Sequence, residues 1–527
     1  MPTPNLPMKM ARTAALLATT ALAGFVVPGH AWSAGGFIPD TLVVSRVHFV
    51  PDTTPHDGET YPEIFNDPNV SGIQGTIFLD TYRPEPFAPL LQSLPLTALS
   101  QASGAGAPII TTSFSSKSEG SLHLSVDGRF LTYMGYNGAP GAEGVSNSET
   151  TLLAAQIQPL PAGTALFDRA IALVKYDGSV AVSDENYAFS GDNPRGAITV
   201  DGTQFYMAGN ADSTENKTPA GTGPGFTVGV RYGLPGAVTP GTPNSTQLAT
   251  YLASDRPDES TKQHVKDNNW RGIGIFNDAK GNPTLYVSKG SGGNGDDGIF
   301  QVVNNNGSGL PMPTTPPTPP NTITQLIGDQ ATNPATGASS PLVPFAFFFA
   351  NPTTLYVADE GNASIPVLDS SGKPVLDANG QPVVDYVSDP LAGLQKWVLV
   401  GGVWQLEYVL QDGLHLNEPQ TIWGYPVPTR TTGLRNMTGK VNGDGTVTLY
   451  AITAQSSEIS GGEPDPTELI KVTDVLAATH LPLDDRDNDQ FFRDFDDHGD
   501  SLERFVTLQV SRPGDVFRGV AFAPSNP

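Results

Sequence analysis

A recurring two-strand pattern constrains this chain more than any other feature. A short apolar strand, a turn rich in Gly, Asp or Asn, and a second strand ending in aromatic or branched residues recur as "EGSLHLSVDGRFLTYMGY" from Glu119, "RGAITVDGTQFYMAGN" from Arg195, "RGIGIFNDAKGNPTLYVSKG" from Arg271, "PFAFFFANPTTLYVADEGN" from Pro344 and "LRNMTGKVNGDGTVTLYAIT" from Leu434. A further copy is split. The sequence closes on "FRGVAFAPSNP", which matches the first strand alone, while "DTLVVSRVHF" from Asp40 matches the second alone. Such self-similarity marks a repeat architecture, in which one unit cannot bury both its faces and must stack on its neighbours.

Further strand signals follow the pairs: "GIQGTIFLDTY" (72–82), "DGIFQVVNNNGSGL" (297–310), "GLQKWVLVGGVWQLEYVL" (393–410) and "TELIKVTDVL" (467–476). Each unit then holds about four antiparallel strands, the form of a propeller blade. The chain's 527 residues exceed what one core organises, and its 57 Gly and 48 Pro suit short strands joined by turns. The expectation is an all-β, six-bladed β-propeller, with seven blades if an insertion hides a degenerate copy. The ring closes by pairing the C-terminal strand (517–524), innermost in its sheet, with the N-terminal strand (41–49). Residues 41–527 form one domain, with excursions at 86–118, 331–341 and 363–390 and a Pro-rich spacer at 311–322. The run "FAFFF" suits an innermost strand covered by neighbours on both faces, where a half-exposed strand would alternate.

Residues 1–31 read as an export signal, because Lys9 and Arg12 precede the apolar run "TAALLATTALAGFVV" and small residues follow it. That run is too short to span a bilayer, which needs about 20 residues. A secreted or periplasmic location follows, with no membrane span. Cysteine is absent, so burial and strand pairing must stabilise the fold without disulfides. The net charge of −25 repels nucleic acid and favours cations.

The segments "TLYVADEG", "TLYVSKG" and "GLQKW" resemble the secreted bacterial β-propellers with YVTN-like repeats. The resemblance implies the fold over nearly all of the mature chain. Propellers of this kind include ligand-binding and surface proteins, calcium-dependent phosphatases, lactone hydrolases and polysaccharide lyases, so it implies no single chemistry.

Three constellations carry candidate chemistry. In "DDRDNDQFFRDFDDHGD" (484–500), carboxylates at alternate positions, among them Asp485, Asp487, Asp489, Asp494 and Asp496, are of the type that converges on calcium. Neither calcium-loop register is complete, since Gln490 replaces the turn glycine in one and Phe505 the terminal ligand in the other. Arg195, Arg271, Arg435 and Arg518 open the inner strands at equivalent positions, with Glu119 in the same place in another copy. They would ring one mouth of the channel, either gripping an anion or bridging to neighbouring blades. In "DGLHLNEPQTIWGYPVPTR" (412–430), His415 and Glu418 could share acid and base roles, and Trp423 and Tyr425 could stack on a sugar.

No nucleophile elbow or metal-ligand histidine spacing is found. These residues favour a monomeric binding protein that uses one face of the ring for a small-molecule, carbohydrate or protein ligand, with calcium as an auxiliary ion. The alternative is an extracellular hydrolase or lyase acting on a carbohydrate or ester.

Overall fold

In a computed structural model of the chain, every copy of the repeat is an antiparallel strand pair. The structure describes residues 36–49, 73–102, 106–114, 116–156, 165–211, 227–236, 241–251, 267–278, 280–290, 296–304, 307–313, 321–361, 365–366, 373, 375, 384–385, 389–457, 465–481 and 502–526. The expected export signal lies outside them.

Four separate four-stranded sheets are present. We name each by its first residue. The Pro194 sheet runs Pro194–Ile198, Phe205–Gly209, Val230–Gly233, Ser245–Ala249. The Trp270 sheet runs Trp270–Asn277, Pro283–Lys289, Gly298–Val303, Thr322–Ile327. The Pro344 sheet runs Pro344–Asn351, Thr354–Asp359, Gly393–Val400, Val403–Leu410. The Thr429 sheet runs Thr429–Val441, Thr446–Ser457, Glu468–Val475, Val506–Val510.

A nine-stranded sheet has two limbs. One pairs Asp515–Phe522, Leu42–His48, Gln74–Tyr82 and Gln92–Leu94; the other pairs Leu122–Leu124, Phe130–Asn137, Arg169–Lys175 and Val180–Glu185. Ile110–Ser113 joins the limbs by pairing with both Gln74–Tyr82 and Phe130–Asn137. Gln92–Leu94 and this joining strand both lie in the stretch 86–118 that the sequence pattern reads as an excursion. They are too short and too irregular to show alternation. The excursions at 331–341 and 363–390 contribute parts of two small hairpins, Gln330–Thr332 with Ser339–Pro341 and Ile365–Pro366 with Val384–Asp385.

The arrangement is all-β and propeller-like, because each sheet shares an apolar cluster with the next. Ile198 and Tyr206 pack with Ile273 and Leu285. Tyr286 and Ile299 pack with Phe347 and Phe349. Ala346 and Tyr356 pack with Leu434 and Leu449. Tyr450 and Leu469 pack with Leu42 and Phe517, and the two limbs share Val43, Ile77, Leu131 and Ala172. The run "FAFFF" is thereby explained. Phe347 and Phe349 face the Trp270 sheet, while Ala346 and Phe348 face the Thr429 sheet, so alternation would leave one neighbour unpacked.

The first and last described strands pair from Leu42 opposite Phe522 to His48 opposite Asp515, with one slip in register at Arg518. Charges fasten the far end: Arg46 donates to Asp80 at 2.6 Å and to Asp515 at 2.9 Å, and His48 Nδ1 lies 2.8 Å from Asp515. Those hydrogen bonds and charges outweigh burial, and hold the Asp515 carboxyl below its ordinary pKa.

Gly519 is where this strand meets its neighbour. Its N–H donates to Ser45 Oγ at 2.7 Å, and Ser45 donates onward to the Gly120 carbonyl at 2.9 Å. Gly272, Ser288 and the Phe345 carbonyl repeat the relay at another seam, at 2.8 and 2.6 Å. A Cβ on Gly519 would stand 2.8 Å from the Gly120 oxygen and closer still to the Leu122 nitrogen. The glycine of each "RG" is therefore an interstrand contact point.

Gly519→Ala should destabilise the protein by about 1–3 kcal/mol, because backbone atoms must move to admit the methyl group. Gly443→Ala, at a turn with open space around it, should stay within about 0.5 kcal/mol. Urea unfolding of both variants measures the difference.

Candidate functional site

The loop that follows Val403–Leu410 builds a pocket against the Thr429 sheet. Asp412 starts it: its carbonyl accepts from Phe505 N at 2.8 Å and its carboxylate binds Arg504 at 2.9 Å. Asn417 N donates to the Thr431 carbonyl at 2.8 Å, and Gln420 and Thr429 exchange backbone hydrogen bonds at 2.8 and 2.9 Å. The loop is thus pinned to an outer and an inner strand. Between the pins His415 and Asn417 adopt positive φ, +50° and +59°, a conformation uncommon outside glycine.

That turn presents His415 and Glu418 side by side, with Nδ1 3.1 Å from Oε2. Both line a pocket of about 300 Å³ with Gln420, Thr431, Thr453, Glu468 and Thr507. Glu468 comes from the third strand of the Thr429 sheet, where its N–H is held by Thr453 Oγ1 at 2.9 Å and its carboxylate accepts from Thr507 Oγ1 at 2.8 Å. Burial raises the Glu468 pKa, opposed by the Thr507 hydrogen bond and the His415 charge. The pocket therefore combines an imidazole, an exposed carboxylate and a carboxyl group whose pKa burial raises. Such a set can hydrogen-bond sugar hydroxyls or move a proton.

Trp423 is 94% exposed on the same loop, whereas Tyr425 is 7% exposed and its hydroxyl donates to Asp465 at 2.5 Å. The Tyr425 ring is a packing anchor and is not presented to solvent. Burial lifts the Asp465 pKa to about 6, opposed by the hydrogen bonds from Tyr425 and Ser457 and by the Arg435 charge.

The repeated basic residues share a local backbone feature. Pairing skips or slips at Arg518, Arg195, Arg271–Gly272 and Arg435–Asn436, and at Phe345 in the Pro344 sheet. A β-bulge re-aims its side chain, and here it recurs at one position of the innermost strands. Each Arg meets different surroundings. Arg195 Nη1 donates to Asn269 Oδ1 and, at 3.0 Å, to the Trp270 carbonyl. Arg518 Nη2 donates to the Phe114 carbonyl at 2.5 Å. Arg435 holds Glu360 through Nε at 3.1 Å and Nη2 at 2.9 Å, and Lys117 reaches the same carboxylate at 3.5 Å. Burial would raise the Glu360 pKa, but Arg435, Lys117 and Arg271 outweigh it and hold it at about 2. Burial raises that of Glu119, which accepts from Tyr136 at 2.6 Å and from Asn193 and Thr112. Arg271 lies over the Phe345 ring, 5.8 Å from its centroid.

Sequence reasoning missed Glu468, which reads as one more residue of an outer strand, and Glu360, whose "ADEGN" setting reads as an exposed acidic turn. Asp485, Asp487, Asp489, Asp494 and Asp496 lie outside the described residues. Among the described residues no group of three or more His, Asp or Glu side chains could hold a metal ion, and no helix is long and apolar enough to cross a membrane.

No protein-family model and no curated protein matches the sequence. Among solved structures the chain is similar to the polysaccharide lyase Uly1, at 9% identity over 71% of this chain and 94% of that one, with a TM-score of 0.26. It is also similar to a PL25 ulvan lyase bound to -[GlcA(1-4)Rha3S]-, at 10% identity over 76% and 80% of the two chains, with a TM-score of 0.24. Scores this low carry nothing about reaction or ligand.

Asp465→Asn keeps an acceptor for Tyr425 and removes a carboxyl whose folded pKa is raised. Ionising that carboxyl costs stability as pH rises from its unfolded pKa near 3.8 to about 6, so the substitution should gain stability in that window. Unfolding free energies at pH 4 and pH 7.5 should show the variant's advantage growing with pH, by up to about 3 kcal/mol.

Proposed function

We propose that this protein is an exported, single-domain β-propeller of six blades that binds a hydroxyl-rich ligand, the end of a carbohydrate chain, in the His415–Glu418–Glu468 pocket. The blade count takes the two limbs of the nine-stranded sheet as separate blades linked by Ile110–Ser113. The pocket lining carries the reading: Gln420, Thr431, Thr453 and Thr507 surround two carboxyl groups and an imidazole. About 300 Å³ is at the small end of ligand sites, which suits one sugar ring better than a long apolar molecule. Trp423, exposed on the same loop, offers a stacking face for a second ring. Calcium at the aspartates of 484–500 is the auxiliary part of the proposal.

A second reading is favoured by one observation, that His415 and a carboxyl of raised pKa line the same pocket. On that reading the protein is a hydrolase or lyase, with Glu468 as acid and His415, oriented by Glu418, as base.

Isothermal titration against a panel of oligosaccharides, with and without millimolar calcium, tests the binding. Glu468→Gln and His415→Gln should each weaken the best ligand about tenfold or more. If the parent protein releases no heat with any member of the panel, the carbohydrate reading fails. New reducing or unsaturated chain ends, lost in both variants, would decide for the enzyme.

A further inference from the structure

The bulge positions bring Arg195, Arg271, Arg435 and Arg518 into one electrostatic neighbourhood with Glu119 and Glu360. The innermost strands that carry them contact one another in sequence. Counter-charge within this ring is unevenly shared. Glu360 is taken by Arg435 and Lys117, Glu119 accepts from Tyr136, Asn193 and Thr112, and nearby Asp297 is paired with Lys289 at 2.8 Å. Among the described residues, Arg195 and Arg271 have no carboxylate within salt-bridge distance. Arg195 is 4% exposed and spends one nitrogen on two neutral oxygens. Its buried Nε has no acceptor among the described residues.

Arg271 is the sharper anomaly. It is half-buried, its Nε is buried without an acceptor, and its guanidinium makes no hydrogen bond to any described residue. The Phe345 ring lies against one face of the guanidinium, 5.8 Å from its carbon to the ring centroid, and a contact of that kind uses none of the in-plane N–H donors. Two neighbouring arginines repel each other, and burial strengthens the repulsion. Glu360 and Asp192 act on Arg271 from beyond ion-pair distance, as Asp192 and Glu119 act on Arg195, so two neighbouring guanidinium groups keep unused N–H donors, the arrangement that a doubly charged oxyanion satisfies with paired hydrogen bonds.

We propose that the ring of bulge residues is an anion site for a tetrahedral dianion, a sulfate or phosphate group, held by Arg271 with Arg195 beside it. The site shares no residue with the His415 pocket, whose lining draws on all four strands of the Thr429 sheet. It also gives a strongly acidic chain a local point of attraction for anions.

Titration with sodium sulfate and sodium phosphate, against sodium chloride at matched ionic strength, tests this on the whole protein. Both oxyanions should bind and raise the melting temperature above the chloride control. Arg271→Gln should fold, because the guanidinium holds no part of the framework by hydrogen bonding, and should weaken binding about tenfold or more. Arg271→Lys keeps the charge and loses the fork, so it should fall between the two and serves if the glutamine variant does not fold. A glucose 6-phosphate arm separates the sources: tighter binding than phosphate assigns an ester group on a larger ligand, and equal binding assigns the free anion. Neither oxyanion exceeding chloride, or binding unchanged in the Arg271 variants, would overturn the proposal.

Discussion

The pairing of Leu42–His48 with Asp515–Phe522 is the contact on which the other seams depend. It joins residues at least 467 positions distant in the chain, the separation of His48 and Asp515. A sheet of three or four strands cannot bury both its faces alone, so each relies on a neighbour, and a row of such sheets leaves two faces bare unless it returns on itself. Here Phe517 and Val520 pack with Tyr450 and Leu469 on one side, while Val43 and Ala521 pack with Leu131 and Ala172 on the other. One strand pair therefore covers two apolar faces.

The same geometry accounts for charges buried near the innermost strands. Close approach there needs residues without a Cβ, and Gly196, Gly272 and Gly519 supply them next to the bulges. The bulge residue beside each glycine cannot join the ladder and is aimed elsewhere. Long arginine side chains reach carbonyls and carboxylates of adjacent elements from that position, as Arg518 reaches Phe114 and Arg435 reaches Glu360. Within this set of equivalent residues, Arg435 forms an ion pair with Glu360, whereas Arg271 forms none with a described residue.

Much of this architecture is legible in the sequence because its repeat is short and its punctuation strong. The split copy pairs as its two halves suggest, and "FAFFF" behaves as a strand covered on both faces. What the sequence hides is local. A bulge has no residue signature of its own, so the re-aiming of Arg195 or Arg271 is invisible until pairing registers are known. Phe345 holds the equivalent position in the Pro344 sheet without being basic, so residue type does not group it with the arginines. Nothing in "ADEGN" marks Glu360 as buried, yet it is 5% exposed and answers Arg435 from another segment. Residue type marks the His415–Glu418 turn but not Glu468, since nothing in "TELIKVTDVL" tells which side chain faces a pocket made by a loop some 50 residues earlier.

Removing residues 515–527 and following unfolding by calorimetry addresses closure most directly. If the final strand seals the ring, the truncated chain loses its cooperative transition and exposes apolar surface well beyond the Leu42–His48 sheet, because the clusters on both sides open. A truncated protein that stays soluble and melts at the parent's temperature would contradict it.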